Sequence, residues 1–189
     1  LYRLVGSEMC IRDRKKGYRS RAVFKLEEIL KKIKTINYSN VLDLGSSPGG
    51  WSEYMIKKYP TSNVYAIDLI DMEPIEGVTF FKDSIENLYN LEEISKLKGC
   101  FKLVISDIAP NLSGISAVDC ENILNLNMLT VKIASDFLDS SGSLIMKTFQ
   151  NSNLKILRKN MELSFKLVQT YKPAASKKQS GEIYLYGVK

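Results

Sequence analysis

Four acids, Asp43, Asp68, Asp83 and Asp107, stand at or near the ends of apolar runs, and Lys147 closes a fifth run. If those runs are strands, the acids collect on one rim of a sheet. There they could accept hydrogen bonds from ligand hydroxyl and amino groups and face a positive centre. A single strand-terminal aspartate is commonly a turn former or helix cap, but four on one rim outline a site. A lysine ending an apolar strand is costly to bury unless paired or functional, although its stem can also carry the ammonium out to solvent. The chain has no histidine, which removes His-based triads and His metal sites. Cys10, Cys100 and Cys120 are far apart and odd in number, which argues against a disulfide framework and a zinc site. They read as reduced thiols of a cytoplasmic protein.

The acids need a ligand, and Val41-Leu-Asp-Leu-Gly45-Ser-Ser-Pro-Gly49-Gly50-Trp51 supplies a loop for one. Three glycines in six residues allow positive φ and close approach of a ligand to the main chain. Residues 51–59 continue with helical spacing, so the loop should open onto a helix N-terminus. A dinucleotide site uses G-x-G-x-x-G around a pyrophosphate. Here Ser47 replaces the second glycine and Pro48 removes an amide donor, which weakens an NAD reading. Asp68, about 20 residues beyond the loop, suits any adenosine ribose, and Asp83 could accept from an adenine amino group. A rim rich in carboxylates favours a ligand without phosphates, and S-adenosylmethionine, with its cationic sulfonium, is such a ligand.

The elements that must hold these residues alternate. An amphipathic helix follows Ser20, a good N-cap, with Val23, Leu26, Ile29, Leu30 and Ile33 on one stripe. Strands are expected at 40–44, 63–68, 78–81, 101–107, 143–149, 165–170 and 182–187. Helices are expected at 51–59, 85–97, 118–138 and 151–161. Strand, helix and strand within about 30 residues make a βαβ unit with a right-handed crossover. An open α/β sheet binding ligand beyond its carboxyl strand ends follows.

At 189 residues, with 44% hydrophobic and 25% charged content, the chain fits one domain of common size. No run of about 18 apolar residues suggests a membrane span, and no secretory signal is expected. The net charge is +6. Arg12, Arg14, Lys15, Lys16, Arg19 and Arg21 cluster at one end, and Lys172, Lys177 and Lys178 near the other. Two basic segments suit a polyanion, since each phosphate contact releases counterions, although the same charges could simply aid solubility.

Five segments occur in an order that points further: Tyr18-Arg-Ser-Arg-Ala-Val-Phe-Lys25-Leu, Asp43 to Trp51, Ser106-Asp-Ile-Ala-Pro-Asn-Leu-Ser-Gly114, Lys147-Thr-Phe-Gln150 and Lys172-Pro-Ala-Ala-Ser-Lys-Lys-Gln-Ser-Gly-Glu-Ile-Tyr184. Together, from about Lys15 to the C-terminus, they resemble the FtsJ-type RNA 2′-O-methyltransferases. The branch to which they are most similar methylates a uridine ribose of 23S ribosomal RNA in the large subunit. The resemblance implies a Rossmann-like methyltransferase fold, with a single mostly parallel seven-stranded sheet, the last strand antiparallel and helices on both faces. One domain would span 15–189, behind an irregular segment at 1–14, either a fragment's edge or a non-native sequence, that stands in place of the family's basic lead-in.

The resemblance also implies a catalytic tetrad of Lys25, Asp107, Lys147 and Glu182, with no metal. It implies contacts to S-adenosylmethionine, which leaves as S-adenosylhomocysteine, from Gly49, Gly50, Trp51, Asp68, Asp83 and Asp107. Ser84 departs from the apolar residue usual after Asp83 in such proteins. Arg19, Arg21, Lys177 and Lys178 are expected to hold RNA phosphates. Lys147 would deprotonate or orient the ribose hydroxyl, while Asp107 and Glu182 steer the two ammonium groups. The protein is expected to be a cytoplasmic monomer acting on ribosomal RNA. A tRNA anticodon-loop methyltransferase and a non-catalytic ribosome-assembly factor are the alternatives.

Overall fold

The computed structural model describes residues 17–33, 38–111, 113–176 and 179–189. The expectations for residues 1–14, for Lys177 and for Lys178 lie outside the described residues. The elements run α1 (Ala22–Lys32), β1 (Asn40–Leu44), α2 (Gly50–Lys58), β2 (Asn63–Asp68), β3 (Val78–Lys82), a 3₁₀ turn (Ile85–Asn90), α3 (Glu92–Ser95), β4 (Phe101–Ser106), α4 (Ser116–Phe137), β5 (Leu138–Phe149), α5 (Leu154–Met161), β6 (Leu167–Tyr171) and β7 (Glu182–Val188).

The seven strands form one sheet in the order β3-β2-β1-β4-β5-β7-β6. Pairs from β3 through β5 are parallel. The last strand, β7, is antiparallel to both β5 and β6. The expected seven strands with an antiparallel last strand are therefore present. Strand order reverses between β1 and β4, and the crevice at their carboxyl ends is where such a sheet takes a ligand.

Side-chain alternation explains why both faces need helices. Leu42, Leu44, Val104, Leu144, Met146 and Leu185 face one core with Val131, Ile133 and Phe137 of α4 and Leu157 of α5. Val41, Leu103, Ile105, Ile145, Tyr184 and Tyr186 face the other, under Val23, Leu26 and Ile29 of α1 and Trp51 and Met55 of α2. A strand buried on both faces reads as a near-continuous apolar run, which is why these strands were visible in the sequence.

Two expected elements differ. The helix foreseen over 85–97 is a 3₁₀ turn and a single helical turn, separated by Leu91 in an extended conformation. Ser84 Oγ caps the first piece by accepting the Glu86 amide, and Asp83 accepts from the Asn87 side chain at 2.8 Å. Such local bonds compete with continuous helix. Strand β5 begins at Leu138 rather than 143, because the chain pairs with β4 directly on leaving α4. The register then shifts between Phe101 and Leu103.

Candidate active site

The register of β4 and β5 builds the first part of the site. Ser106 pairs with Met146, so the next residues, Asp107 and Lys147, emerge side by side at the carboxyl rim. Lys147 Nζ lies 3.1 Å from Asp107 Oδ1 and also donates to the Asp107 backbone carbonyl. Lys147 sits opposite Tyr184 across β5 and β7, and the Tyr184 hydroxyl donates to Asp107 Oδ1 at 2.9 Å. Burial, then the Asp107 and Glu182 carboxylates, push the Tyr184 phenol far above its ordinary range, so it acts as a neutral donor.

Because β7 runs opposite to β5, its first residue, Glu182, lies beside Phe149 at the same rim. Helix α1 delivers Lys25 from above that face. Lys25 Nζ and Glu182 Oε1 are 2.7 Å apart, with both side chains largely buried, 11% and 14% exposed. The Lys25 ammonium also lies 5.9 Å from the Tyr184 ring centre. Burial alone would raise the Glu182 carboxyl, but hydrogen bonding and charge from Lys25, the Ser176 hydroxyl and the charge of Lys147 hold it below the usual carboxylate range. Lys25, Asp107, Lys147 and Glu182 are thus brought together as two adjoining ion pairs.

Beside them opens a cleft of about 690 Å³, lined by the loops after β1 to β4 and by one side of α4. Asp68, Asp83, Glu86 and Asp107 contribute its carboxylates, and Leu69, Ile70, Ile85, Ile108, Leu126 and Leu129 its apolar walls. A smaller cavity of about 60 Å³ adjoins it through Gly45, Ser47 and Asp107, with Asp43, Ser46, Gly50 and Trp51 in its wall. The volume of the cleft is that of a typical small-molecule site.

The acids play different parts. Asp68 accepts the amides of Ser47 and Ile70, both at 2.8 Å, which ties the loop after β1 to that after β2. Asp83 spends one oxygen on the Ser84 amide and Asn87, leaving the other to the cleft. Asp43 is buried beneath α2 and accepts from the Ser52 hydroxyl at 2.6 Å. Burial, with the charges of Asp107 and Asp68 adding to it, pushes the Asp43 carboxyl up to about 7, against the opposing Ser52 bond.

The glycines at the start of α2 are closely packed. Gly49 has φ of 97°, and a Cβ there would meet Met72 Sδ and Ile75 Cδ1 at 2.7 Å; a Cβ on Gly50 would meet Ser20 at 2.7 Å. On their Cβ side these glycines admit protein atoms close to the backbone. Gly50 still borders the small cavity, whereas Gly49 borders neither space. Trp51 borders the small cavity and donates its indole N–H to the Ala22 carbonyl at 2.8 Å.

Two observations test the fit of S-adenosylmethionine against a dinucleotide. Pro48 removes an amide donor at the loop that would hold a pyrophosphate, and no lysine or arginine is among the described residues lining either cavity. The Ser46 hydroxyl, buried without a partner among the described residues, belongs to the wall of the small cavity. An adenosine in the acid-lined cleft and a polar amino-acid end in the small cavity match this donor and acceptor set.

The basic residues divide. Arg19 donates to the Glu73 and Pro74 carbonyls, the latter at 2.8 Å, and its amide to Glu53, so its guanidinium is engaged in holding the loop after β2. Arg21 is exposed. Tyr184, Ser176 and Asn127, whose amide donates to the Lys147 carbonyl at 3.2 Å, were missed in the sequence. Tyr184 carried a signal, standing two residues beyond Glu182 on the same strand face. Asn127 sits within an apolar helical run and carried none.

A family model described as FtsJ-like methyltransferase matches residues 18–189. A protein of Polaromonas naphthalenivorans named ribosomal RNA large subunit methyltransferase E is 42% identical, over 92% of this chain and 78% of its own. The protein of the same name from Wigglesworthia glossinidia brevipalpis is 38% identical, over 96% of this chain and 91% of its own. Among solved structures, a Plasmodium falciparum protein described as a ribosomal RNA methyltransferase matches with TM-score 0.77 at 28% identity, over 90% of this chain and 97% of that one. A Burkholderia thailandensis N-methyltransferase solved with S-adenosylhomocysteine matches with TM-score 0.62 at 13% identity, over 94% and 81%, a likeness of fold.

Proposed function

The chain belongs to the FtsJ-like methyltransferase family, and we propose that it transfers the methyl group of S-adenosylmethionine to a ribose 2′-hydroxyl, that of a uridine, in 23S RNA of the large ribosomal subunit. The observation that carries this reading is the meeting of Lys147–Asp107 with Lys25–Glu182 at the edge of the acid-lined cleft. The names of the relatives supply the ribosomal substrate.

The cofactor supplies an electrophilic methyl on a sulfonium, and the protein must present the oxygen. A 2′-hydroxyl is a poor nucleophile, so it needs alignment, loss of its proton, or both. Lys147 has three donor positions, two of them taken by Asp107. Among the described residues the third position has no partner: as an N–H it would hold the 2′-oxygen, and on a neutral Lys147 it would be the lone pair that takes the 2′-proton as the O–CH₃ bond forms and the S–CH₃ bond breaks. Asp107, itself fixed by Tyr184, keeps Lys147 from turning away. Lys25, neutralised by Glu182, is the second cation facing the ribose and its phosphate. Holding the reactants in a near-attack geometry is worth up to roughly 7–11 kcal/mol, so positioning would supply much of the acceleration.

Asp68 and Asp83 would receive the ribose hydroxyls and the adenine amino group, and Gly50 and Trp51 would border the amino-acid end. Arg21, Lys177 and Lys178 would hold RNA phosphates. Arg19 would contribute its remaining donors there, and Gly49 would act through the packing of the loop. The domain is taken as 15–189, acting as a cytoplasmic monomer. Among the described residues no helix is long and apolar enough to cross a membrane.

The test is incubation with labelled S-adenosylmethionine and, separately, large-subunit particles, free ribosomal RNA and tRNA. Transfer to the ribosomal substrates supports the proposal. Transfer confined to tRNA would move the enzyme to an anticodon-loop substrate, and no transfer despite cofactor binding would make it a non-catalytic RNA-binding factor.

A further inference from the structure

We propose that Ser176 is a positioning residue for methyl transfer, its hydroxyl locking the Glu182 carboxylate against Lys25 and so linking the loop after β6 to the catalytic tetrad. The inference rests on the methyltransferase reading above.

Ser176 Oγ donates to Glu182 Oε1 at 2.9 Å, and the same oxygen receives Lys25 Nζ at 2.7 Å. Two donors converging on one carboxylate oxygen fix the rotation of the carboxyl, which either donor alone would leave free. Ser176 is itself buried, 7% exposed, and a buried hydroxyl is tolerated where it is hydrogen-bonded. Its amide donates to the Pro173 carbonyl at 3.0 Å, so the loop turns tightly just before it.

A second contact holds the same loop from α1. The Ala174 amide donates to Glu28 Oε2 at 2.7 Å. Glu28 stands three residues after Lys25, on the same side of the helix. Helix α1 therefore grips the loop twice, through Glu28 at its backbone and through Lys25 at the acid that Ser176 holds. At the far end the Gln150 amide donates to the Gly181 carbonyl at 2.7 Å, which fixes where β7 begins. The sequence of the same loop continues into Lys177 and Lys178.

Among the described residues, the groups facing Glu182 are Lys25 from α1, Lys147 from β5, Ser176 from the loop and Tyr184 from its own strand, with Asp107 beyond β4 reached through Tyr184. Removing the Ser176 hydroxyl takes away a donor to the ionised carboxyl and nothing else that is charged. The Glu182 titration should then move up, and the carboxyl should gain rotational freedom.

The experiment uses the full chain and its Ser176→Ala, Ser176→Thr and Ser176→Cys variants, with carboxyl-labelled glutamate followed by carbon NMR and Glu182→Gln to assign the resonance. The alanine variant should titrate Glu182 at higher pH. It should also lose about tenfold in kcat on large-subunit particles, shift the acid limb of the pH–rate profile upward and keep its KM for S-adenosylmethionine. Threonine should restore both the titration and kcat, and cysteine, a weaker donor, should fall between. An unmoved Glu182 midpoint, or a threonine variant as impaired as alanine, overturns the proposal. Wild-type protein that transfers to no RNA would sink the functional reading, while the NMR titration would still decide whether Ser176 holds the Glu182 carboxylate.

Discussion

Lys147 and Tyr184 oppose one another across the antiparallel pair of β5 and β7, and both side chains end on the same oxygen of Asp107. The arrangement needs the reversed strand. A parallel strand would deliver only its last residues to this rim, whereas β7 delivers its first, Glu182 and Tyr184. The single antiparallel strand is therefore what brings the second ion pair to the first.

Lys147→Ala should lower kcat on ribosomal RNA by about 10²- to 10⁴-fold, the usual worth of a positioned proton-transfer group. Affinity for S-adenosylmethionine should stay close to that of the wild type, since Lys147 is not among the residues bordering the cleft or the small cavity. Single-turnover transfer and titration calorimetry measure the two. Parallel loss of both would remove Lys147 from the chemical step.

Tyr184→Phe keeps the ring against Trp51, 5.9 Å away between centres, and deletes only the hydroxyl on Asp107. Lys147 still satisfies Asp107, so the stability cost should be about 1 kcal/mol. Asp107 and Lys147 become free to turn together, and kcat should fall about tenfold with little change in KM. Urea unfolding and steady-state kinetics on the same preparation separate the two effects.

Asp43 makes stability depend on pH in the sense opposite to Glu182. Burial raises its folded carboxyl from 3.8 to about 7. Between those values the folded state holds a proton that the unfolded chain has lost, so stability falls as pH rises through that window and levels off above it. Glu182, held below its ordinary value, instead contributes stability at neutral pH that is lost on acidification. Asp43→Asn should remove the Asp43 slope. The difference in unfolding free energy between mutant and wild type should change in favour of the mutant by roughly 3 kcal/mol from about pH 5 to about pH 8. Urea titrations of the ligand-free protein at the two pH values measure it, and a constant difference would show that Asp43 is ionised throughout.

How much of this was legible depended on the kind of signal. Strands such as Val41–Leu44 and Leu103–Ser106 were visible because burial on both faces leaves an apolar run. The acids could be placed because each sits at or near the end of such a run. Residues 85–97 were misread because burial of Ile85, Leu88 and Ile94 keeps a helix-like spacing in 3₁₀ geometry too. Lys25 and Glu182 were matched only through resemblance. Their 2.7 Å pairing depends on how α1 crosses β7, which no local spacing encodes. The close packing of Gly49 and Gly50 was not legible, since Met72 and Ile75 reach Gly49 from more than twenty residues further on and Ser20 reaches Gly50 from thirty residues before it.

Arg19 and Arg21 are near neighbours in one basic cluster and should respond differently to removal. Arg19 places its guanidinium on the Glu73 and Pro74 carbonyls, which holds the loop that begins with Leu69 and Ile70 in the cleft wall. Arg19→Ala should cost about 1–2 kcal/mol, after discounting for exposure, lower the melting temperature by about 2–8 °C and weaken S-adenosylmethionine binding through the loosened wall. Arg21→Ala should leave stability and cofactor affinity unchanged. If Arg21 holds one phosphate, its removal should reduce the slope of log affinity for ribosomal RNA against log salt by about 1. Thermal melts, calorimetry and filter binding over a salt series on both variants make the comparison. A lost salt slope in Arg19→Ala with an unaltered melt would mean that the guanidinium leaves the loop carbonyls for the RNA backbone.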